Sequence, residues 1–255
     1  MRIRIVGLCI LAVVAISAIT VSSASAAAPE FGRCVKATGG KFKDSKCTLG
    51  SVPGEEKYEW LPGVVKNKFT SKIKATTIAT LETVGGTKIT CTGETSTGEY
   101  TGLKTIGKMV ATFTGCETSK LKCESPGKPG EGVIVTSPLG GPIGFETEVS
   151  PASKDHLASE LHSESGNVAE FSCAGLPVVV KGSVLHKITA NAMKLTATEK
   201  FTASKGEQKP DHFAGGTVDE HTLESNTNGG PFEEAGQTIT SILTNEEKVE
   251  ANSVV

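Results

Sequence analysis

Met193-Lys194-Leu195-Thr196-Ala197-Thr198-Glu199-Lys200-Phe201-Thr202 decides the fold class. Met193, Leu195, Ala197 and Phe201 share one parity, while the other holds threonine and lysine. A period of two belongs to a pleated strand, whose successive side chains face opposite ways. The same alternation recurs in Thr76-Thr77-Ile78-Ala79-Thr80-Leu81-Glu82-Thr83-Val84 and in Lys108-Met109-Val110-Ala111-Thr112-Phe113-Thr114, and no sustained 3.6-residue period occurs. The chain carries 30 threonines, whose β-branched side chains are stiff at χ1 and fit a pleated surface. Turn punctuation separates the runs at Gly85-Gly86, Thr97-Gly98, Ser125 to Gly130, Gly140-Gly141-Pro142, Gly215-Gly216 and Gly229-Gly230-Pro231. Many short strands between turn signals predict an all-β protein, an antiparallel β-sandwich. Aromatic residues are only 5% of the 255, so the core must be built mostly from Val, Ile, Leu, Ala and Thr methyl groups.

One stretch is ambiguous. Pro151 to Glu164 could place Leu157 and Leu161 on one helix face, or on one face of a strand. The surroundings favour a hairpin, with Ser163-Glu164-Ser165-Gly166-Asn167 as its turn and Val168 to Cys173 as the returning strand.

The opening residues read as a targeting segment. Arg2 and Arg4 precede an apolar run from Ile5 to Val21, and Ala24 and Ala26 form a small-x-small cleavage site. Residues 1–26 are therefore expected to be a signal peptide, and the mature chain to be secreted, extracellular or cell-surface associated. It would hold 229 residues with 24 basic and 28 acidic side chains, a formal net charge of −4. That mixed surface argues against a nucleic-acid partner, which demands a basic field. No second hydrophobic stretch follows, so no membrane span is expected after cleavage. Removal of the leader also removes Cys9 and leaves six cysteines, which in an exported chain read as three disulfides. Spacing pairs Cys34 with Cys47 around Gly39-Gly40, and Cys116 with Cys123 around a short loop, leaving Cys91 with Cys173. No C-x-x-C pair occurs, which argues against zinc.

Residues 27–63 hold Phe31, Phe42, Tyr58 and Trp60, a third of the aromatic residues, and one of these bridges. They are expected to form a small disulfide-stapled N-terminal hairpin subdomain, with 64–255 as the main β-sandwich domain. Pro29-Glu-Phe-Gly-Arg-Cys-Val-Lys, Cys47-Thr and Tyr58-Glu-Trp-Leu-Pro-Gly resemble the opening of a family of secreted actinobacterial proteins, threonine-rich and cysteine-containing, present in many paralogous copies. Thr97-Gly-Glu-Tyr-Thr-Gly, Phe113-Thr-Gly-Cys-Glu, Phe171-Ser-Cys and Thr244-Asn-Glu-Glu-Lys continue the resemblance over nearly the whole mature chain. It implies one architectural unit from Cys34 to Val255 and brings no activity with it.

Candidate chemistry is sparse. His156, Glu160 and His162 share parity and could share a metal ion. The plainer reading is a polar solvent face, and no metal or cofactor is expected. Asp211-His212 and Asp219-Glu220-His221 lie near glycine-rich turns. A hydrolase would need a serine brought to one of them, but no Gly-x-Ser-x-Gly elbow exists and Ser183 has no special turn around it. Glu233-Glu234 and Glu246-Glu247 lack the spacing of a calcium loop. Lys66, Lys68, Lys72 and Lys74 share parity on a strand, as lysines that guard a sheet edge do. Tyr58 and Trp60 share a face and could stack on sugar rings if exposed, or staple the N-terminal unit if buried. The expected role is a non-catalytic binding or structural module for a cell-wall or extracellular polymer or protein. The alternative is a secreted hydrolase using His162, His212 or His221. A cleft gathering two histidines and a carboxylate favours the enzyme, and a flat face exposing Tyr58 and Trp60 favours the binding module.

Overall fold

A computed structural model describes residues 29–147, 156–188, 192–214 and 221–252. Residues 1–26, expected to be a signal peptide, lie outside the described residues, as do 151–155, Gly215, Gly216, Asp219 and Glu220. The described residues form strands and connecting turns, all pairings being antiparallel. In chain order the strands are β1 (Glu30–Lys36), β2 (Tyr58–Pro62), β3 (Lys68–Ile73), β4 (Ala79–Thr83), β5 (Lys88–Cys91), β6 (Gly93–Tyr100), β7 (Thr105–Thr114), β8 (Glu117–Thr118) and β9 (Leu121–Glu124). There follow β10 (Val133–Val135), β11 (Leu139–Thr147), β12 (His156–Cys173), β13 (Leu176–Ile188), β14 (Lys194–Ser204), β15 (Glu207–Lys209), β16 (Leu223–Thr227) and β17 (Glu233–Asn252). The all-β antiparallel architecture is the one the threonine-rich alternation predicts.

The pairings close on themselves twice. One circuit runs β17–β3–β6–β7–β11–β12–β13–β14 and back to β17. The other runs β17–β4–β5–β8–β9–β12–β13–β16 and back to β17. The strands common to both are the longest: β12 with 18 residues, β13 with 13 and β17 with 20. The faces of the sandwich are thus continuous where these strands pass from one circuit to the other.

Two expectations are corrected by this topology. Ser163 to Asn167 does not reverse the chain, because β12 runs straight through it. The register slips between His162 and Asn167 and Gly166 takes φ +96°, which bends the strand from the first circuit into the second. Likewise Lys66, Lys68, Lys72 and Lys74 are exposed, as their parity predicts, but β3 is not an edge. It is hydrogen-bonded to β17 on one side and β6 on the other. Parity reports which face a residue takes and is silent about what lies beside the strand.

The main core gathers Phe31, Phe69, Tyr100, Leu157, Leu161, Phe171, Phe201 and Leu223 among others. A second small core belongs to the N-terminal unit and contains Cys34, Phe42, Cys47 and Trp60, with Tyr58 and Met193 packed against it. Trp60 is 3% exposed and its indole N–H donates to Glu30 Oε1 at 2.6 Å. A ring so enclosed has no face for a sugar, so Tyr58 and Trp60 act as the staple of this unit and not as a stacking platform. The unit docks on the body through β1, which pairs with both β2 and β17, and through the Asn252 amide, which donates to the Lys46 and Cys47 carbonyls at 3.0 and 3.2 Å.

Cys34 and Cys47 are bridged as expected. The other two bridges are Cys91–Cys116 and Cys123–Cys173, in place of the Cys91–Cys173 and Cys116–Cys123 pairs that spacing implies. Register explains the exchange. Thr90 pairs with Glu117, which brings the adjacent Cys91 and Cys116 together, and Cys123 faces Cys173 directly across β9 and β12. Cys116 and Cys123 do sit opposite one another in the β8–β9 hairpin, the Cys123 N–H donating to the Cys116 carbonyl at 3.0 Å. Each sulfur nevertheless bonds to a strand outside the hairpin. These cross-links fall where the second circuit is thinnest, since β8 has 2 residues and β9 joins β12 through two residue pairs. No helix among the described residues is long and apolar enough to cross a membrane.

Peptide mapping of the unreduced protein is expected to yield fragments joining Cys91 to Cys116 and Cys123 to Cys173. Removing the latter as Cys123→Ala with Cys173→Ala should lower stability by about 4 kcal/mol, from the loop-closure entropy of its 50-residue separation. Denaturant unfolding with and without the pair measures it.

Candidate functional site

Polar side chains converge on the outer face of β11, β12 and β13. Glu160 and His162 stand two apart on β12, and Ser183 is the cross-strand partner of His162. The segment from Pro210 to Ala214, followed by His221, lies over this face. Phe213 packs where Gly144 has no side chain: a Cβ there would come within 2.5 Å of its ring. The Ala214 N–H donates to the Phe145 carbonyl at 2.6 Å, the His221 N–H donates to the Asp211 carbonyl at 2.7 Å, and the Phe213 and His221 rings meet edge to face.

His221 closes the cluster. Its Nδ1 lies 3.1 Å from Ser183 Oγ and 3.3 Å from Glu160 Oε1, and the same oxygen lies 3.1 Å from His162 Nδ1. Burial alone would raise the Glu160 pKa, but the hydrogen bonds and charges of His221 and His162 outweigh it and hold the carboxyl below its ordinary value. The fold thus brings together two of the three histidines named for a hydrolase, with a carboxylate and a serine. His212 joins Asp211 instead, at 3.0 Å, and His156 turns to Lys187 at 3.4 Å. The His156–Glu160–His162 metal grouping is therefore not assembled. Glu247, from one of the acidic pairs, accepts the backbone N–H groups of Val65 and Lys66 and lies 3.8 Å from Arg33.

The cluster lacks the wiring of an acyl-transfer relay. In such a relay one imidazole nitrogen faces the serine and the other faces the acid. Here Ser183 and Glu160 both address Nδ1 of His221, and one nitrogen cannot accept the serine proton while donating to the carboxylate. The chemical consequence is a fixed knot that ties His221 to the sheet.

His162 also forms part of the wall of a groove of about 690 Å³, lined with it by Thr101, Thr105, Lys108, Gly140, Gly141, Pro142 and Glu164 among others. Two features make the groove. Its floor is glycine: a Cβ on Gly140 would lie 2.7 Å from the Ile106 carbonyl, and one on Gly141 would lie 2.6 Å from the Glu160 carbonyl. Its side is a bulge, because the β7–β11 register slips beside Leu139 and Lys108 is held at φ +51°. Bulges and left-handed residues other than glycine gather at functional sites. Gly140-Gly141-Pro142 reads in sequence as a turn but lies within β11. Glycine inside a strand marks close backbone approach, and that was the available signal.

A second polar locus lies inside the first circuit, and sequence reading missed it. Glu94, His186 and Glu199 are buried there, and Glu250 is buried on the other face of β17, beside Asp44 and Lys46 of the N-terminal unit. His186 Nε2 lies 3.5 Å from Glu199 Oε1, Ser241 donates to Glu94 at 2.9 Å, and the Tyr100 hydroxyl donates to Asn245 at 2.8 Å. Burial pushes Glu199 up to about 7 and His186 down to about 4. Burial and then the neighbouring Asp44 charge push Glu250 up to about 8. Comparison with known protein families, curated proteins and solved structures finds no match to the chain.

These shifts set the pH dependence of stability. A raised carboxyl pKa gives stability that is full below the unfolded value of 4.5 and is lost as pH rises through about 7 for Glu199 and about 8 for Glu250. A lowered imidazole pKa gives stability that is full above the unfolded value of 6.5 and is lost as pH falls through about 4. The two effects oppose each other between those limits and act alone outside them. Between about pH 4.5 and 6.5 the two carboxyls outweigh the one imidazole, so melting temperature is expected to peak near pH 4.5 and to fall by several degrees toward about pH 8. Glu250→Gln should flatten that alkaline fall, as thermal melts across pH will register.

Proposed function

We propose that this chain is a secreted, non-catalytic binding module that holds an extended polar chain of a cell-wall or extracellular polymer along the groove beside His162. The groove carries the proposal, since it is wide, open and floored by backbone. A glycine floor lets a ligand approach main-chain groups closely. Thr101, Thr105 and His162 offer hydroxyl and imidazole contacts, and the residues named in its lining include no Phe, Tyr or Trp, which suits hydrogen bonding along a chain better than ring stacking. Export is supported by the basic, apolar and small-residue pattern of residues 1–26 and agrees with three disulfides, which persist in oxidising compartments.

A hydrolase is the second reading. The approach of His162, His221 and Ser183 to Glu160 favours it, and the double use of one His221 nitrogen weighs against it.

The test is retention of purified mature protein on insoluble cell-wall material and on immobilised extracellular glycans. Thr101 is exposed, so Thr101→Arg fills the groove without touching the core. It is expected to weaken retention at least tenfold, about 1.4 kcal/mol, with an unchanged melting temperature. Equal retention of both proteins overturns the groove reading. Release of cleaved product that Ser183→Ala abolishes replaces it with the hydrolase.

A further inference from the structure

A ring of eight strands has room for its own side chains or for one small ligand. A cavity of about 70 Å³ occupies one end of the first circuit. Phe31, Phe69 and Tyr100 form aromatic walls, with Tyr100 4.7 Å from the Phe31 ring and 5.4 Å from the Phe69 ring. Ser159, His186 and Glu199 line the same space from β12, β13 and β14. Ser159 is 1% exposed and His186 6%. Ser159 Oγ and His186 Nδ1 have no hydrogen-bond partner among the described residues, although the two residues face each other across the ladder. The lining reaches the surface at the exposed Lys194.

The two unpartnered atoms define what fits between them. Burial holds the His186 pKa down at about 4, so at neutral pH the imidazole is uncharged and has one N–H and one lone pair. Its Nε2 lies 3.5 Å from Glu199 Oε1. An ionised Glu199 favours the proton on Nε2 and leaves Nδ1 an acceptor, whereas a protonated Glu199 reverses the roles and makes Nδ1 a donor. A hydroxyl group both donates and accepts, so it satisfies Nδ1 and Ser159 Oγ in either state. A group that only accepts leaves the Nδ1 lone pair unmatched when Glu199 is ionised, and a carboxylate is repelled by it. The aromatic walls ask for an alkyl group beside the hydroxyl.

We propose that this cavity binds a short primary alcohol, its hydroxyl between Ser159 Oγ and His186 Nδ1 and its alkyl group against Phe31, Phe69 and Tyr100. With Glu199 ionised, the alcohol donates to Nδ1 and accepts from the Ser159 hydroxyl. Water satisfies the same two atoms in a polar cavity, but it leaves the aromatic walls wet, and the alkyl group of an alcohol covers them. Size limits the ligand. An apolar cavity of about 150 Å³ accommodates benzene, so one of half that volume suits methanol or ethanol and excludes butanol and phenol. The cavity lies inside the ring and the groove on its outer face, so either site can fail without the other.

Titration of histidine-labelled protein with ethanol at about pH 8, followed by the side-chain nitrogen resonances of His186, tests the site. A saturable shift is expected with a midpoint in the millimolar range, the affinity open to a ligand of so few atoms. Acetonitrile, of similar size but with no donor, should bind about tenfold more weakly. Ser159→Ala removes a buried hydroxyl that has no partner, so it should leave the melting temperature unchanged or raised while weakening ethanol binding about tenfold. A shift that never saturates, equal binding of acetonitrile, or ethanol binding undiminished by Ser159→Ala overturns the proposal. If Ser159→Ala fails to fold, magnetisation transfer from the ethanol methyl to the Phe31 and Tyr100 rings in the unaltered protein decides, and its absence is equally fatal.

Discussion

Closure is the constraint on which the rest depends. β12, β13 and β17 each take part in two hydrogen-bonding circuits, so the ladder groups of both rings are satisfied only if these three strands extend through the whole body. An interrupted β12 would leave unpaired N–H and C=O groups at once in β11 and β9, its partners in the two circuits. That is why Gly166 bends the strand and does not end it. The same demand places two disulfides at the shortest steps of the second ring, where one residue pair between β5 and β8 and two between β9 and β12 would otherwise carry the connection alone.

A closed ring of eight strands has an interior that must be filled or occupied. This chain has few aromatic residues with which to fill it. The first circuit answers with a mixture of apolar side chains and acids, and small cavities remain between them. Burying Glu94 and Glu199 in such a place disfavours their charge, which is the common cause of their raised pKa values. The exterior works by different rules. There His221 is held on the sheet in a partly exposed knot with Glu160, His162 and Ser183, and the glycine-floored groove opens beside it.

Some of this was legible before any coordinates. Parity placed Lys68 and Lys72 outward correctly. It also put Glu199 on the same face as Phe201, and both are buried; the alternation thus contained the interior acid without flagging it as one. The Cys34–Cys47 bridge was legible because it closes a local hairpin. Cys91 and Cys173 were paired by elimination, and the elimination failed because Cys116 and Cys123, though opposite each other in their own hairpin, each meet a cysteine from a distant strand. The histidine cluster was half legible: His162 and His221 were singled out, but nothing in sequence joins His221 to Ser183, 38 residues away.

The sequence by itself determined the class of this protein: alternating threonine-rich runs between turn signals, a leader-like start, an even set of cysteines after it, and a surface of mixed charge. These are local properties, because strand parity, turn chemistry and composition are set by neighbours along the chain. Tertiary structure alone decided which strands meet, which sulfurs bond, that β3 has a partner on each side, that Trp60 is enclosed, and that acids line one ring while histidines knot its outer face. Each of these is a relation across a ladder, and pairing depends on the closure of a whole ring rather than on any segment within it.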